Sequence, residues 1–174
     1  HKEYRRQRQM CIRDRSDFRL MSPGTCFEDP TFQLDEKSAY SLQDEVMRLR
    51  TKQGERVAGY KVGCTGSGTT RLFGIAGPIR GTLFENELHS NGVELEYHSF
   101  CNLAVEAEMA IKIGEKNKIS SVFPIIELHN FVFRAPRKSL SELIANNGLN
   151  KGMVFPERQW QKAVSYTHLR AHET

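Results

Sequence analysis

Three carboxylates and one lysine are the side chains of this 174-residue chain whose types and spacing point to chemistry. In "LAVEAEMAIKI" a strand's alternation sets Leu103, Val105, Ala107, Met109 and Ile111 on one face, and Ala104, Glu106, Glu108 and Ala110 on the other. Glu106 and Glu108 then share a face at roughly 6–7 Å along the strand. Two like charges that close repel unless water or a cation separates them. One reading is the solvated face of a half-exposed strand. The other is a metal site, favoured because the flanking residues on that face are small alanines. Glu127 adds to it by ending the apolar run "VFPII", where an unpaired ionised carboxylate is costly. Three carboxylates with no cysteine or histidine pair nearby suit a hard cation, Mg²⁺ or Mn²⁺, rather than zinc. His129, two residues beyond Glu127, reads as a hydrogen-bonded structural residue and stays outside this ligand set. Lys61 lies in the apolar segment "GYKVG". It is either a lysine that snorkels to the surface or a cation facing the metal site, there to hold a substrate carboxylate or handle a proton.

The elements that must position these groups are mixed. From Leu34, "LDEKSAYSLQDEVMRLRTKQG" repeats Ala39, Leu42, Val46 and Leu49 at helical spacing, with Gly54 after its end. "RVAGYKVG" reads as a strand running into the glycine-rich turn "GCTGSGTT". That turn is neither a Walker motif nor a dinucleotide fingerprint. Its backbone N–H groups could take an anion, or it is simply a flexible loop. "GTLFENE" and "GVELEY" read as short strands around an Asn91-Gly92 turn. "ISSVFPIIELHNFVF" is a further strand, in which Pro124 argues for an edge or a bulge. "KSLSELIANNG" reads as a short helix capped by Ser139 with Glu142 three residues on, stopping at Asn146 to Gly148.

The basic opening "RRQRQMCIRDR" suggests a nucleic-acid arm, but back-translation argues otherwise. It fits a transposase-type sequencing-library adapter, and "VSYTHLRAHET" fits the opposite adapter in reverse. Residues 1–15 and 164–174 are therefore expected to be adapter-derived and not native, with 16–163 a partial catalytic domain. The outer segments hold seven of the 25 basic and three of the 21 acidic residues, so the formal charge of +4 falls to zero between them. The electrostatic case for nucleic acid or an anionic membrane falls with it. About 148 residues suffice for one domain with a sizeable core. No apolar run is long enough to span a membrane. Cys26, Cys64 and Cys101 form no CxxC pair or disulfide framework, and a reducing cytoplasm is the expected compartment.

In order, "AYSLQDEVMRLRTKQGERVAGYKVG", "GTLFENE", "VEAEMAIKIG", "FPIIELHN" and "ELIANNG" resemble the fumarylacetoacetate hydrolase superfamily, in particular its 2-keto-4-pentenoate hydratase-like branch. The resemblance covers nearly all of residues 34–155. It implies an α+β fold, a mixed β-roll with flanking helices, incomplete here at the C-terminus. It also implies that Glu106, Glu108 and Glu127 are the metal ligands, that Lys61 is the lysine of the "GxKxG" strand, and that Asn147 lines the substrate pocket. Asn146 stands where the family has aspartate, and only eighteen residues separate Glu108 from Glu127, where many relatives insert a helix. The implied activity is hydration of a 2-hydroxy-2,4-dienoate to a 4-hydroxy-2-oxo acid, as in aromatic catabolism. The implied partners are a small 2-oxo acid substrate and, for a full-length chain, further copies in a homo-oligomer. Decarboxylation of a 2-oxo diacid and C–C hydrolysis of an acylpyruvate need the same chelation. An inactive fragment is the remaining alternative.

Overall fold

The structure is a computed structural model that describes residues 34–73, 78–131 and 139–157. Helix α1 (Glu36–Lys52) starts where expected, capped by the Asp35 carboxylate, which accepts from Ser38 N–H at 2.7 Å. Its buried stripe of Ala39, Leu42 and Val46 packs on helix α3 (Leu140–Ala145) through Leu140, Leu143 and Ile144. Ser139 and Glu142 cap α3 reciprocally. Gln43, fully buried in α1, donates to the Arg80 carbonyl at 3.0 Å and to the Ile144 carbonyl at 2.6 Å. It ties the helix pair to the strand beneath.

Strands β1 (Val57–Gly63) and β2 (Ile79–Phe84) form an antiparallel pair, joined through helix α2 (Ser67–Phe73). The glycine-rich stretch expected to be a turn therefore contains a helix, begun once the Gly63–Gly66 segment has turned the chain. Strands β3 (Leu88–Ser90), β4 (Leu103–Ile113), β5 (Ile119–Asn130) and β6 (Asn150–Phe155) make a mixed sheet in the order β3-β6-β5-β4. Only β3–β6 is parallel. The Asn91-Gly92 turn is present, with Gly92 at φ 81° and Val93 N–H on the Ser90 carbonyl. "GVELEY" is no strand, however: Val93 and Leu95 are exposed, and the chain goes instead into a 3₁₀ turn at Tyr97–Ser99. The α+β expectation holds as a mixed sheet with flanking helices.

The β4–β5 register follows from one terminal bond. Phe131 N–H donates to the Asn102 carbonyl at 2.8 Å, and the ladder continues from Leu103↔Asn130 to Lys112↔Ser121. Hydrogen-bonded pairs alternate in an antiparallel ladder, so the even-numbered residues of β4 bond to β5 and the odd-numbered ones turn their N–H and C=O outward. Pro124, opposite Met109, thus points its nitrogen away from β4, toward the β6 side. Pairing with β6 ends at Ile126↔Val154, so no ladder bond is lost. β5 is an interior strand, and its proline sits where its neighbour has already left. One face of β5 is buried through Phe123 and Ile125, which join Leu83 and Met153 in a second core cluster.

Candidate metal centre

Glu127 lies on the buried face of β5, directly opposite Glu106 on β4, whereas Glu108 faces Ile125. The register therefore brings Glu106 and Glu127 together and leaves Glu108 one pair farther along the same face. His129 is on that face too, two residues after Glu127 and equally buried. Ligand-type atoms of Glu106, Glu127 and His129 lie within 4.8 Å of one another, and the Glu108 carboxylate is outside this group.

Lys61 reaches the same point from the other sheet. It is buried, not snorkelling, and its ammonium forms an ion pair with Glu127 Oε1 while donating to the Gly148 carbonyl at 3.0 Å. The room for this is made by its cross-strand partner, Gly81. A Cβ there would stand 2.8 Å from both Lys61 Cγ and the Asn147 carbonyl. Gly148, at φ 62°, also lies against the lysine, its Cβ position 3.3 Å from Lys61 Cε.

His129 Nε2 stands 3.1 Å from Glu127 Oε2. Burial pushes the Glu127 carboxyl up, but the neighbouring His129 ring and the Lys61 ammonium outweigh it and hold the group below the usual carboxylate range. Glu127 is thus an ionised, buried carboxylate. Charge neutralisation is nevertheless imperfectly directed: neither Glu127 Oε1 nor His129 Nε2 has a well-aligned hydrogen bond. Such atoms, beside an exposed second carboxylate, fit a divalent cation. The group brought together is two carboxylates and one imidazole, with Glu108, the third expected carboxylate, outside it. The sequence reading set His129 aside, although its i, i+2 spacing from Glu127 on a strand was the signal that it shares the face.

Both ends of the Asn147 amide (φ 53°) are engaged by one strand. Its Oδ1 accepts from Thr82 N–H at 2.7 Å and its Nδ2 donates to the Thr82 carbonyl at 2.8 Å. The amide acts as an extra strand residue that clamps β2, and through it the Lys61–Gly81 crossing. It also lines a cavity of about 600 Å³ with Arg50, Glu87, His89, Asn150 and Lys151. None of Lys61, Glu106, Glu108 or Glu127 lines that cavity. Its floor is an ionic cluster instead: Arg50 pairs with Glu55 at 2.6 Å and with Glu87 at 2.7 Å, and stacks over Phe84. Glu87 also accepts from Asn150 Nδ2 at 2.8 Å and from Phe84 N–H.

No family model matches the sequence. The chain is 24% identical, over 166 aligned positions, to the 2-oxo-hept-4-ene-1,7-dioate hydratase of Escherichia coli, taking in 79% of this chain and 62% of the relative. It is 34% identical over 77 residues to a 2-keto-4-pentenoate hydratase of Burkholderia vietnamiensis, or 44% of this chain and 29% of that one. In fold it is similar to 4-oxalocrotonate decarboxylase from Pseudomonas putida G7, solved with magnesium and adipate. That match has a TM-score of 0.81 at 16% identity and covers 91% of this chain and 65% of the decarboxylase. The chain therefore spans less than two thirds of the length of these relatives. These sequence relatives are named hydratases and this fold neighbour a decarboxylase, and the chain is similar to both.

Proposed function

We propose that the chain carries the metal-binding part of a hydratase that converts a 2-hydroxy-2,4-dienoate into a 4-hydroxy-2-oxo acid. The observation that supports it most is the buried contact of Lys61 and Glu127 beside Glu106 and His129. Glu106, Glu127 and His129 would hold the ion, with Glu108 close enough along β4 to bind a water of its shell. Mg²⁺ is the first choice, since the decarboxylase was solved with it, and Mn²⁺ suits the same donors. When bound, such an ion supplies Lewis-acid stabilisation of negative charge developing on a chelated 2-oxo acid.

The remaining steps belong to side chains. An ammonium has three N–H donors. Gly148 takes one of Lys61's and the ion pair with Glu127 draws the ammonium toward the site, leaving a donor for a substrate carboxylate. That fixes the 2-oxo acid end of the substrate over Glu106 and Glu127 and directs its conjugated chain along the sheet face. As the dienol's 2-hydroxyl gives its proton to water and the far end of the diene takes one up in return, the Lys61 ammonium stabilises the charge developing on the 2-oxygen, and water then adds to the resulting enone. Decarboxylation of a 2-oxo diacid is the second reading, favoured by the fold neighbour. The two are separated by assaying loss of dienoate absorbance against release of CO₂ from a 2-oxo diacid, each with Mg²⁺ present. Glu127→Gln should abolish both turnover and Mg²⁺ binding. Retention of both by that variant would overturn the proposal.

A further inference from the structure

The short link between α3 and β6 is wound against the preference of L-residues. Asn147, Gly148 and Leu149 have φ of 53°, 62° and 62°, and Leu149 N–H closes the turn on the Asn146 carbonyl at 2.9 Å. Left-handed residues usually occur singly, because Cβ crowds the following carbonyl and only glycine escapes that cost. Non-glycine residues persist there when their surroundings over-determine them, and such places cluster at functional sites. Here both ends of the turn are pinned. Leu149 is buried in the core cluster of α1 and α3. Asn147 holds the Thr82 N–H and carbonyl with its amide. Its own carbonyl lies against Gly81, where a Cβ would come within 2.8 Å. Between these two pins the Gly148 carbonyl accepts from Lys61 Nζ at 3.0 Å.

We propose that Asn147 is a positioning residue for Lys61, acting through the Gly148 carbonyl rather than on the substrate. The direction of a backbone carbonyl follows from φ and ψ, so the hand of the turn decides whether Gly148 faces the lysine. The clamp on Thr82 sets that hand from the β2 side. Lysine carries its charge on a flexible four-carbon stem. The ion pair with Glu127 therefore leaves the ammonium free to swivel, and the Gly148 carbonyl supplies the second fixed direction. Asparagine meets two needs at position 147. It tolerates the left-handed conformation, and its amide offers one donor and one acceptor to a single strand residue. Glycine would meet the first need and not the second. The proposal rests on the reading of Lys61 as the group that meets a substrate carboxylate.

The test is nuclear magnetic resonance of the lysine ammonium groups in the isotope-labelled full chain. In the wild type the Lys61 signal, identified by its loss in Lys61→Arg, should be protected from water and coupled through the hydrogen bond to the Gly148 carbonyl carbon. Asn147→Gly removes the amide while relieving the backbone. It should keep its circular dichroism, lose the coupling and exchange the Lys61 protons on the order of tenfold faster. A folded Asn147→Gly with coupling and exchange unchanged would overturn the proposal, whatever its melting temperature. Should that variant fail to fold, the wild type decides. Its Asn147 side-chain N–H and its Lys61 ammonium should then open with the same dependence on urea, and different dependences would overturn the proposal. Pyruvate added with Mg²⁺ separates the positioning from the reading beneath it. It should shift the wild-type Lys61 signal and bind Asn147→Gly on the order of tenfold more weakly, with Mg²⁺ affinity unchanged. A Lys61 signal loosened in the variant but unmoved by pyruvate in the wild type upholds the positioning and contradicts the 2-oxo acid reading.

Discussion

At the scale of single residues, the account rests on a buried ion pair built across two sheets. Lys61 and Glu127 are both deeply buried, and each compensates the other. Removing one partner leaves an uncompensated charge, so Lys61→Met should destabilise the chain by about 3–5 kcal/mol. The double variant Lys61→Met/Glu127→Leu should regain most of that loss while binding no metal. Chemical denaturation with a parallel Mg²⁺ titration checks both halves, and a double variant as unstable as the single one would contradict the pairing. Gly81→Ala is the steric counterpart. Its methyl would meet Lys61 Cγ and the Asn147 carbonyl at 2.8 Å, and should cost about 1–3 kcal/mol while displacing the ammonium. Glu106, Glu108, Glu127 and Lys61 were legible in the sequence because strand alternation and burial cost are local arguments. The company of His129, and the exclusion of Glu108 from the tight group, depend on the β4–β5 register, which no single strand encodes. Asn147, expected at a pocket, does line a cavity, and what the sequence did not reveal is that both ends of its amide are held by the Thr82 backbone.

At the scale of elements, the helices were the most readable parts because their caps and stripes lie within one segment. Ser139→Ala removes the hydroxyl that accepts from Glu142 N–H, and should cost about 1 kcal/mol by thermal or urea unfolding. Asp35 supplies a pH test at α1. The Ser38 backbone N–H holds its carboxyl below the ordinary value. A folded pKa below the unfolded one means that the stabilisation is present above the unfolded pKa, about 3.9, and is lost as pH falls through the folded value. The melting temperature of the wild type should therefore exceed that of Asp35→Asn near neutral pH, with the gap closing as the solution is acidified through that range. A gap constant with pH would contradict it. The strands were less legible. "GVELEY" has the alternation of a strand but pairs with no strand among the described residues, and the glycines of "GCTGSGTT" hid a helix that begins at Ser67 and includes Gly68.

At the scale of the whole molecule, helical packing of α1 on α3 and the β5–β6 face on β2 form two separate cores, with Lys61 crossing between them. Among the described residues no helix is long and apolar enough to cross a membrane. Sheet order was the part least available from sequence: β4 and β5 form a hairpin, but β6 joins β5 through pairings more than twenty residues apart and β3 joins β6 across more than sixty. The superfamily resemblance implied a mixed sheet with flanking helices but no strand order, which came from the ladders. The central claim is that this crossing point holds a divalent cation. Calorimetric titration of Mg²⁺ into the folded chain tests it most directly, with Glu106→Gln/Glu127→Gln as the control and circular dichroism confirming that both are folded. Saturable one-site binding that disappears in the double variant is the predicted result. No binding by the folded wild type, or binding unchanged in the variant, would contradict the account.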